Sequence, residues 1–560
     1  MAPDMADRIA PSASPDASPP DYAAFAAAFR PGDLAATFSG DFANGINAAI
    51  ECCDRHATPG RVALYWEGQD GRSSVMTFEE LRERSSRFAN FLVSRGVQPG
   101  DRIAGLLPRV PELLVVILGT LRAGAVYQPL FTAFGPKAIE YRLGASEAKL
   151  IVTDPVNRHK LDEVEGCPAV MTLGATVAGD IDFGAELARH ADSFAPVMRK
   201  GDDPMLMLFT SGTTGLAKGV AVPHRALMAF QMYMRHAVGL RDEDAFWNIA
   251  DPGWAYGLYY AAIGPLLLGH ATTFYDGPFS VESTYRVIGK YGITNLAGSP
   301  TAYRMLVAAG PEAASAVAGK LRVVSSAGEP LNPEVIRWFA EHLRCTIHDH
   351  YGQTETGMTL CNFHAFAHVV RAGSAGFPIP GYRLAVVDDD GKELPPHQQG
   401  TLAVDREQSP LFFFPGYWRQ PTSAFVGKYY LTGDTVELAE DGSIAFVGRG
   451  DDIITSSGYR IGPFDVESSL LEHPAVAETA VIGKPDPERT EIVKAFVVLK
   501  SGVTGDDALA EELRQLVRRR LAAHAYPREI VFVDSLPKTP SGKIQRFLLR
   551  QQEAAGAKSA

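Results

Sequence analysis

The loop from Thr210 to Gly219 carries a cluster of groups that suit phosphate chemistry. Its sequence, TSGTTGLAKG, holds four hydroxyls, three glycines and one lysine. Glycines let several backbone N–H groups turn toward one point, and such a nest of amides binds anions. A Walker loop needs Gly-Lys-Ser/Thr ahead of a helix, whereas Lys218 lies between Ala217 and Gly219. We therefore expect a polyphosphate site of another kind, with a polar surface hairpin as the alternative.

Polar segments further along the chain add other groups that a nucleotide needs. The run 347–357, IHDHYGQTETG, reads as a polar loop with an aromatic face for a base, amide and hydroxyl donors, and the Glu355 carboxylate as a Mg²⁺ ligand. Asp434 is expected just after a strand, where it can accept from two ribose hydroxyls. Trp254, in a glycine-containing turn, is either a structural corner or the wall of an apolar pocket. Lys543 follows a predicted glycine turn, and a solvated surface lysine is the alternative.

Alternating strand and helix patterns must hold these segments in place. The apolar runs 205–209 and 220–222 predict strands on either side of the first loop. Thr77 and Glu80 form a capping-box pattern, which predicts a helix through Leu92. This alternation predicts an α/β architecture with mostly parallel sheets. It continues in a strand, an apolar helix and a strand at 102–107, 111–121 and 124–127.

Bulk composition restricts the class of protein. A chain of 560 residues is too long for one core, so several subdomains are expected. The net charge of −12 argues against nucleic acid or an anionic membrane as the main partner. Five scattered cysteines lack zinc-type spacing and fit a reducing compartment, and no apolar run is long enough to span a bilayer. We expect a cytoplasmic protein with small-molecule partners, and a homodimer stays open.

The chain divides into three predicted parts. Residues 1–20 are rich in Ala, Ser, Pro and Asp, and we expect a disordered tail over 1–32. Residues 33–449 are expected to form a large N-terminal domain of mixed and parallel β-sheets flanked by helices. Residues 450–560 are expected to form a small, mobile α+β domain. The glycine-rich polar run that begins near Arg449 predicts the boundary between the two domains.

Five separated segments together resemble the AMP-forming acyl-CoA synthetase superfamily of acyl-adenylate-forming enzymes. They are TSGTTGLAKG, AGEPL, YGQTETG, TGD with GRGDDIITSSGYRIGP, and PKTPSGKIQR, in the family's order. The resemblance extends from about Asp33 to Arg550 and is closest to the medium-chain branch, on segments such as PTAYRML and YPREIVF. Ala217 departs from the family, which usually has proline before the lysine, and we expect a somewhat less rigid loop.

The resemblance implies synthesis of an acyl-CoA from a carboxylic acid, ATP and coenzyme A, with Mg²⁺. The carboxylate attacks the α-phosphorus of ATP and pyrophosphate leaves; the CoA thiol then attacks the acyl carbon and AMP leaves. Catalytic roles are implied for Lys218, Thr354, Glu355 and Lys543, with Glu355 on the metal and Lys543 stabilising charge in the first step. The implied nucleotide-binding positions are Thr210, Ser211, Gly212, Thr213, Thr214, Gly215, Lys218, Gly328, Glu329, Pro330, Asp349, His350, Tyr351, Gly352, Gln353, Thr354, Asp434 and Arg449.

The resemblance further implies that the small domain rotates between the two steps. Asp451 matches the hinge position, so that Lys543 serves the first step. Arg460 is expected near the phosphate or the hinge. Arg489 and Arg528 are candidates for the CoA phosphates, and solvated surface arginines are the alternative. The turn expected to line the pantetheine tunnel in the second step consists of Ser457, Gly458 and Tyr459.

One position predicts the size of the acid. Acetyl-specific relatives carry a tryptophan where this chain has Gly352, and a longer acyl chain gains about 0.8 kcal/mol per CH₂ buried in the space left by that ring. We therefore expect an acid longer than acetate: medium-chain, branched or aromatic. If other side chains refill the space, propionate or butyrate is the alternative. The residues expected to shape this pocket are Trp254, Tyr256, Tyr259, Gly298 and Gly352.

Three other functions stay open at this point. An adenylating enzyme that loads a carrier-protein thiol is disfavoured, because no fused carrier domain is visible in the sequence. A catalytically inactive binding protein is disfavoured by the complete set Lys218, Glu355, Asp434, Arg449 and Lys543. The motifs do not discriminate against a luciferase-like oxygenase.

Overall fold

A large α/β unit and a smaller α+β unit make up the chain, as the sequence predicts. The computed structural model describes residues 8–9 and 19–558, apart from 175–176, 211–216, 372, 457–458, 487–488, 522–524 and 540–542. The strand Ile444–Arg449 belongs to a sheet of the larger unit, and Ile454–Ser456 belongs to the sheet of the smaller one.

A seven-stranded sheet carries the first phosphate segment at its edge. Its strands are parallel except at that edge, where Lys218–Pro223 runs antiparallel to Pro204–Thr210. The apolar runs on both sides of the loop therefore form the expected strands. In sheet order the strands are Lys218–Pro223, Pro204–Thr210, Val126–Pro129, Arg102–Leu106, Leu150–Thr153, Ala169–Thr172 and Ile181–Asp182.

An eleven-stranded sheet carries most of the other predicted site residues. Its first four strands are parallel and the others antiparallel, so the architecture is mixed rather than uniformly parallel. In sheet order the strands are Phe246–Asn248, Asn295–Gly298, Val323–Ala327, Ile347–Gln353, Gly357–Cys361, Ser374–Pro378, Ile444–Arg449, Tyr429–Leu438, Gln399–Asp405 and Leu384–Val387, with Phe425–Val426 beside Tyr429–Leu438.

Three smaller sheets complete the described strands. A three-stranded sheet contains Thr272–Asp276, Val62–Gly68 and Ser73–Thr77, and a two-stranded ladder joins Arg8–Ile9 to Val370–Arg371. The sheet of the smaller unit contains Tyr459–Ile461, Ile454–Ser456, Thr490–Leu499, Val476–Asp486 and Glu529–Phe532.

Helices cover the faces of these sheets. The predicted capping box is confirmed, because Thr77 Oγ1 accepts from Glu80 N at 3.1 Å and Glu80 Oε2 accepts from Thr77 N at 2.7 Å. None of the helices in the described ranges has the length and apolar content needed to cross a bilayer. The α-helices are Tyr22–Ala28, Pro31–Ala35, Ala48–Cys52, Phe78–Ser94, Pro111–Arg122, Pro136–Ser146, Phe183–Ala188, Ala226–Met232, Ala255–Gly257, Gly264–Leu267, Val281–Tyr291, Pro300–Ala308, Gly310–Ala314, Pro333–Trp338, Pro463–Leu471, Asp507–Arg520 and Arg546–Lys558; 3₁₀ turns lie at Asp54–His56, Arg158–Glu163 and Ser315–Val317, and π-helical turns at Tyr233–Ala237, Leu258–Ile263 and Phe339–Leu343.

The smaller unit has an apolar core of its own. Val466 and Leu470 of one helix and Leu513 and Val517 of another pack with Val493 of the sheet. A separate core is what a unit needs if it is to move as one body.

The expectation of a disordered tail over 1–32 is wrong in its second half. Residues 22–28 and 31–35 are helical. The Tyr22 ring stacks on Phe363 with centroids 5.3 Å apart, and its hydroxyl donates to Pro378 O at 2.7 Å. These partners lie more than 300 residues away in sequence, so local composition could not reveal them. Residues 1–7 and 10–18 are outside the described ranges.

Candidate active site

One cleft of about 2620 Å³ gathers most of the predicted site residues. Residues of both units line it, so it lies between them. The predicted residues on its walls are Thr210, Lys218, Trp254, Tyr256, Tyr259, Gly328, Glu329, Pro330, Asp349, His350, Tyr351, Gly352, Gln353, Thr354, Glu355, Asp434, Arg449, Asp451 and Lys543.

Other predicted residues are not part of this wall. Gly298 and Tyr459 are described but do not line the cleft. The positions outside the described ranges are Ser211, Gly212, Thr213, Thr214, Gly215, Ser457 and Gly458, together with the side chain of Arg460.

The two arginines predicted for coenzyme A also lie away from the cleft. Arg528 lies over the ring of Tyr526 at 5.1 Å, and Arg489 Nη1 lies 4.0 Å from Asp486 Oδ1. Neither is on the cleft wall, so this arrangement of the two units does not assemble the predicted CoA-phosphate contacts.

Strand pairing brings the two ends of the phosphate loop together. Thr210 and Lys218 are opposite each other across an antiparallel ladder, so the loop leaves and returns at one point of the sheet edge. Ala217 O accepts from Tyr141 OH at 2.9 Å, which holds the loop end where the family usually has proline. Lys218 Nζ lies 4.7 Å from the centroid of the Tyr417 ring. In the described part of the chain no carboxylate lies within 4.0 Å of it, so the ammonium stays available to an anion.

The run 347–357 is not a loop, which corrects the sequence interpretation. Residues Ile347–Gln353 form a strand that pairs antiparallel with Gly357–Cys361. His350 lies buried on this strand, with Nδ1 2.9 Å from Tyr233 OH and Nε2 3.0 Å from Asn362 O. Burial lowers the pKa of His350 to about 4, so the ring is neutral and both nitrogens are used inside the protein. Its expected nucleotide contact is therefore not made by the ring.

Asp434 lies within the strand Tyr429–Leu438 rather than after one. Its Oδ2 accepts from Tyr351 OH at 2.5 Å and from Gln353 Nε2 at 2.8 Å, and Arg449 Nε lies 3.5 Å from its Oδ1. Burial raises the pKa of this carboxyl, while the Arg449 guanidinium acts in the opposite direction. Asp434 is thus a carboxylate with a fixed orientation on the cleft wall, as a ribose-binding group must be.

Gln353 acts through Asp434. Its amide also donates to Thr432 O at 2.9 Å, and its Oε1 accepts from Tyr430 OH at 2.9 Å. Since these contacts use both the N–H₂ and the carbonyl oxygen, the side chain positions Asp434 and is not placed to read a nucleotide.

Glu355 is the carboxylate that suits a cation. It is 7% exposed, burial raises its pKa, and its Oε1 accepts from Tyr417 OH at 2.9 Å. No three His, Cys, Asp or Glu side chains form a metal cluster in the described ranges. Magnesium is commonly held by one or two carboxylates together with substrate phosphates and water, so a single Glu beside a phosphate loop fits it. Thr354, next to it, is fixed by Tyr259 OH, which donates to Thr354 O at 3.0 Å.

Two neighbouring strands of the eleven-stranded sheet bring Gly328, Glu329 and Asp349 to the cleft. Gly328 has φ +99°, a conformation that favours glycine, and it turns the chain into the cleft after Val323–Ala327. Glu329 is tied down, because Thr301 Oγ1 donates to it at 2.9 Å and Arg304 Nη2 also donates at 2.9 Å. Asp349 Oδ1 has no hydrogen-bond partner in the described part of the chain. An amino group of a purine is the kind of donor that this oxygen lacks.

Aromatic rings form the predicted acyl wall. The Trp254 ring packs against Phe131 and Phe134, with centroids 5.2 and 5.3 Å away. Tyr259 stacks on Phe230 at 4.5 Å, which fixes it beside Tyr256 on the same wall. The predicted turn around Trp254 ends at that residue, since Ala255–Gly257 is helical.

Gly352 and Gly298 do not open this pocket in the way expected. A Cβ at Gly352 would lie 2.2 Å from Gly357 O and 2.6 Å from the Met358 Cα, because the strand has a bulge between Tyr351 and Gly352. Glycine is therefore needed for backbone packing, and its missing side chain points at the neighbouring strand instead of the acyl space. A Cβ at Gly298 would point at Tyr303 OH, 3.1 Å away.

The smaller unit presents Lys543 to the cleft. Its backbone N donates to Thr539 Oγ1 at 3.0 Å, and its carbonyl accepts from Thr539 N at 2.8 Å, which closes the predicted turn. Lys543 is exposed and lines the same cleft as Asp434 and Glu355. Asp451 Oδ1 lies 3.5 Å from Arg449 Nε, so one arginine links the predicted hinge residue to Asp434.

The sequence analysis missed three aromatic residues of the cleft. Tyr417 contacts both Lys218 and Glu355, and Tyr430 holds Gln353. Phe131 packs against Trp254 on the cleft wall. The run Pro415-Gly416 before Tyr417 marked a turn there, and no signal in the sequence pointed to Tyr430 or Phe131.

Comparison with known proteins identifies the class. The sequence pattern of the AMP-binding enzyme family matches residues 53–418, and that of the AMP-binding enzyme C-terminal domain matches residues 465–543. The chain therefore belongs to the AMP-binding enzyme family.

Individual relatives narrow the class to acyl-CoA synthetases. The chain is 42% identical to the acetyl-coenzyme A synthetase of Bacillus subtilis over 91% of both chains, and 37% identical to the mitochondrial acyl-coenzyme A synthetase ACSM3 of Mus musculus over 88% of this chain and 86% of that one. Among solved structures, a Brucella canis acyl-CoA synthetase is 59% identical with a TM-score of 0.79, covering 96% of this chain and 100% of that one. The protein is an AMP-forming acyl-CoA synthetase, an acid–thiol ligase that uses ATP and coenzyme A, with the Mg²⁺ that is general for the family.

Proposed function

We propose that this synthetase activates a carboxylic acid longer than acetate and that its smaller unit alternates between two half-reactions. The main support is that Lys543, from the smaller unit, lines the same cleft as Asp434 and Glu355 of the larger unit. One conformation thus brings a mobile cation to the nucleotide site, while the candidate CoA residues Arg489 and Arg528 lie elsewhere. A second arrangement is needed for coenzyme A.

The first half-reaction joins the acid to the nucleotide. The substrate carboxylate oxygen attacks the α-phosphorus of ATP, the bond to the bridging oxygen breaks, and pyrophosphate leaves with the charge. Lys218 and the amides of the adjoining loop would receive that charge, and Lys543 would stabilise the α-phosphate oxygens. Bound Mg²⁺, held by Glu355, would neutralise phosphate charge.

The second half-reaction transfers the acyl group. The CoA thiolate attacks the acyl carbon and the bond to the AMP oxygen breaks, so AMP leaves and the thioester forms. Rotation about Asp451 would remove Lys543 from the cleft and bring the 457–459 turn toward the acyl carbon. We place Arg460 near this hinge and Arg489 and Arg528 near the CoA phosphates.

The aromatic wall supports an acid that is medium-chain, branched or aromatic. Trp254, Phe131 and Phe134 pack ring against ring on the cleft, and each CH₂ of a substrate buried there gains about 0.8 kcal/mol. Gly352 gives this assignment no support, because its Cβ position faces backbone. The five free cysteines support a reducing compartment, and we propose the cytoplasm.

A pyrophosphate-release assay over C2 to C12 and aromatic acids, with and without coenzyme A, tests the substrate. We expect AMP formation that depends on coenzyme A and is faster with C4 or longer acids than with acetate. A preference for acetate would overturn the size assignment. Adenylate that accumulates despite coenzyme A would favour transfer to a carrier-protein thiol.

Lys543→Ala tests the alternation. We expect adenylation to fall at least 100-fold, as for loss of a group that stabilises transition-state charge, while supplied acyl-adenylate still forms thioester. Lys500→Ala, an exposed lysine of the smaller unit away from the cleft, is the control. An equal loss of both half-reactions in Lys543→Ala would refute the assignment.

A further inference from the structure

Tyr417 contacts two oppositely charged groups of the cleft at once. Its hydroxyl donates to Glu355 Oε1 at 2.9 Å, and the face of its ring receives Lys218 Nζ at 4.7 Å from the centroid. All three residues line the cleft. A tyrosine ring attracts a cation through its quadrupole without cancelling its charge, whereas a carboxylate would cancel it.

Backbone contacts fix the tyrosine relative to the lysine strand. Tyr417 bridges to Val220, two residues after Lys218, and Trp418 N donates to Gly219 O at 2.8 Å. Tyr417 N itself donates to Thr422 Oγ1 at 2.9 Å. The ring is therefore carried by the same sheet edge that carries Lys218, and it is held there without help from its hydroxyl.

Tyr417 contacts two groups of opposite charge that do not form an ion pair with each other. Lys218 and Glu355 both contact Tyr417, yet they are not within 4.0 Å of each other. Opposite charges on one cleft wall attract each other more strongly as the local dielectric falls. If they paired, the lysine would be lost to pyrophosphate and the glutamate to a cation.

We propose that Tyr417 is a positioning residue that keeps Lys218 and Glu355 apart and separately available, the ring holding the lysine and the hydroxyl holding the glutamate. This rests on the proposed function, since it assigns the two groups to the triphosphate and its cation. Besides Glu355, the hydroxyl contacts the hydroxyl of Tyr430, and a phenylalanine would fill the same ring volume next to Phe414.

Two variants separate the two contacts. Tyr417→Phe keeps the ring and removes the hydrogen bond to Glu355, whereas Tyr417→Leu removes both contacts. Tyr429→Phe is the matched control: Tyr429 lies outside the cleft, with Lys428 Nζ 5.0 Å from its ring centroid and its hydroxyl donating to Glu393. The control therefore removes a tyrosine–glutamate hydrogen bond and keeps a lysine–ring contact, but outside the cleft.

Titration calorimetry of MgATP without any acid measures binding with no turnover. We expect affinity to fall about 10-fold in Tyr417→Phe, as for loss of a hydrogen bond to a charged group, and about 50-fold or more in Tyr417→Leu, where a cation–π contact is lost as well. The magnesium concentration for half-maximal ATP binding should rise in the same order. Tyr429→Phe should bind as the wild type does.

Each outcome bears on the proposal. Wild-type MgATP affinity in Tyr417→Phe would overturn the proposal. Equal losses of affinity in Tyr417→Phe and Tyr417→Leu would also overturn it, because the ring would then make no contribution to holding Lys218. A fall in melting temperature with unchanged affinity would assign Tyr417 a purely structural role. Failure of the wild-type protein itself to bind MgATP would instead refute the proposed function, so the two failures are distinguishable.

Discussion

Arg546, three residues after Lys543, is held by a buried carboxylate. Its Nη2 donates to both Glu467 oxygens at 2.8 Å, and Asp452 lies 3.4 Å from its Nη1. Glu467 is 6% exposed and also accepts from Val481 N at 2.8 Å. We predict that Arg546→Ala destabilises the smaller unit and misplaces the lysine turn that precedes it.

The expected loss in the free energy of unfolding follows from the Glu467 carboxylate, which stays buried when Arg546 is removed. Removing one partner of a buried ion pair costs about 3–5 kcal/mol, since the other charge is left uncompensated. The Arg546 side chain is 21% exposed, so we expect the lower end, about 3 kcal/mol. That corresponds to roughly 150-fold more frequent opening of the unit. Arg546→Lys keeps the charge but loses the planar fork, and we expect about 1 kcal/mol.

Hydrogen exchange under native conditions measures this opening. Amides of Val476–Asp486 and Thr490–Leu499 should exchange about 150-fold faster in Arg546→Ala, and adenylation should fall more than thioester formation from supplied acyl-adenylate. Arg518→Ala is the control, since that guanidinium is exposed and lies over the ring of Tyr526 at 5.0 Å. Unchanged exchange in Arg546→Ala would refute the reasoning.

Two further predictions concern pH and the ribose site. Burial lowers the pKa of His224 from 6.5 to about 4, so the unfolded chain binds the proton at a higher pH than the folded chain does. The free energy of unfolding should therefore fall by up to about 3 kcal/mol as the pH drops from 6.5 to 4. In urea unfolding, His224→Asn should lose less stability than the wild type over the same pH range. Gln353→Leu frees Asp434, and we expect the KM for ATP to rise about 10-fold while the KM for the acid stays unchanged. An unchanged KM for ATP would contradict the positioning role.

Local signals in the sequence were sufficient where a few neighbouring residues decide the structure. The capping box at Thr77 depends on two residues three positions apart, and the strands around the phosphate loop depend on short apolar runs. The family motifs likewise predicted which residues share a cleft, because residues of all five motifs line it.

Long-range packing decided the features that the sequence analysis missed. The polar run at 347–353 reads as a loop, yet His350 finds Tyr233 more than 100 residues away and is buried in a strand. The helix at Tyr22 depends on Phe363 in the same way. The glycine at position 352 was interpreted as leaving room for the acyl chain. The direction in which its Cβ would point is set by a bulge in the strand pairing, and the sequence alone does not show that bulge.

Arg449 links the proposed ribose-binding residue Asp434 to the proposed hinge residue Asp451. Asp434 and Arg449 are directly opposite each other in antiparallel strands, and the Arg449 Nε lies 3.5 Å from both Asp434 and Asp451. A guanidinium at equal distance from two carboxylates can move toward either at little cost, because the gain on one side offsets the loss on the other. A nucleotide whose ribose hydroxyls donate hydrogen bonds to Asp434 would therefore shift this balance toward Asp451. If the hinge is at Asp451, nucleotide occupancy and the orientation of the smaller unit are coupled through this arginine, and Arg449→Lys, which lacks the second N–H group, should weaken that coupling more than it weakens ATP binding.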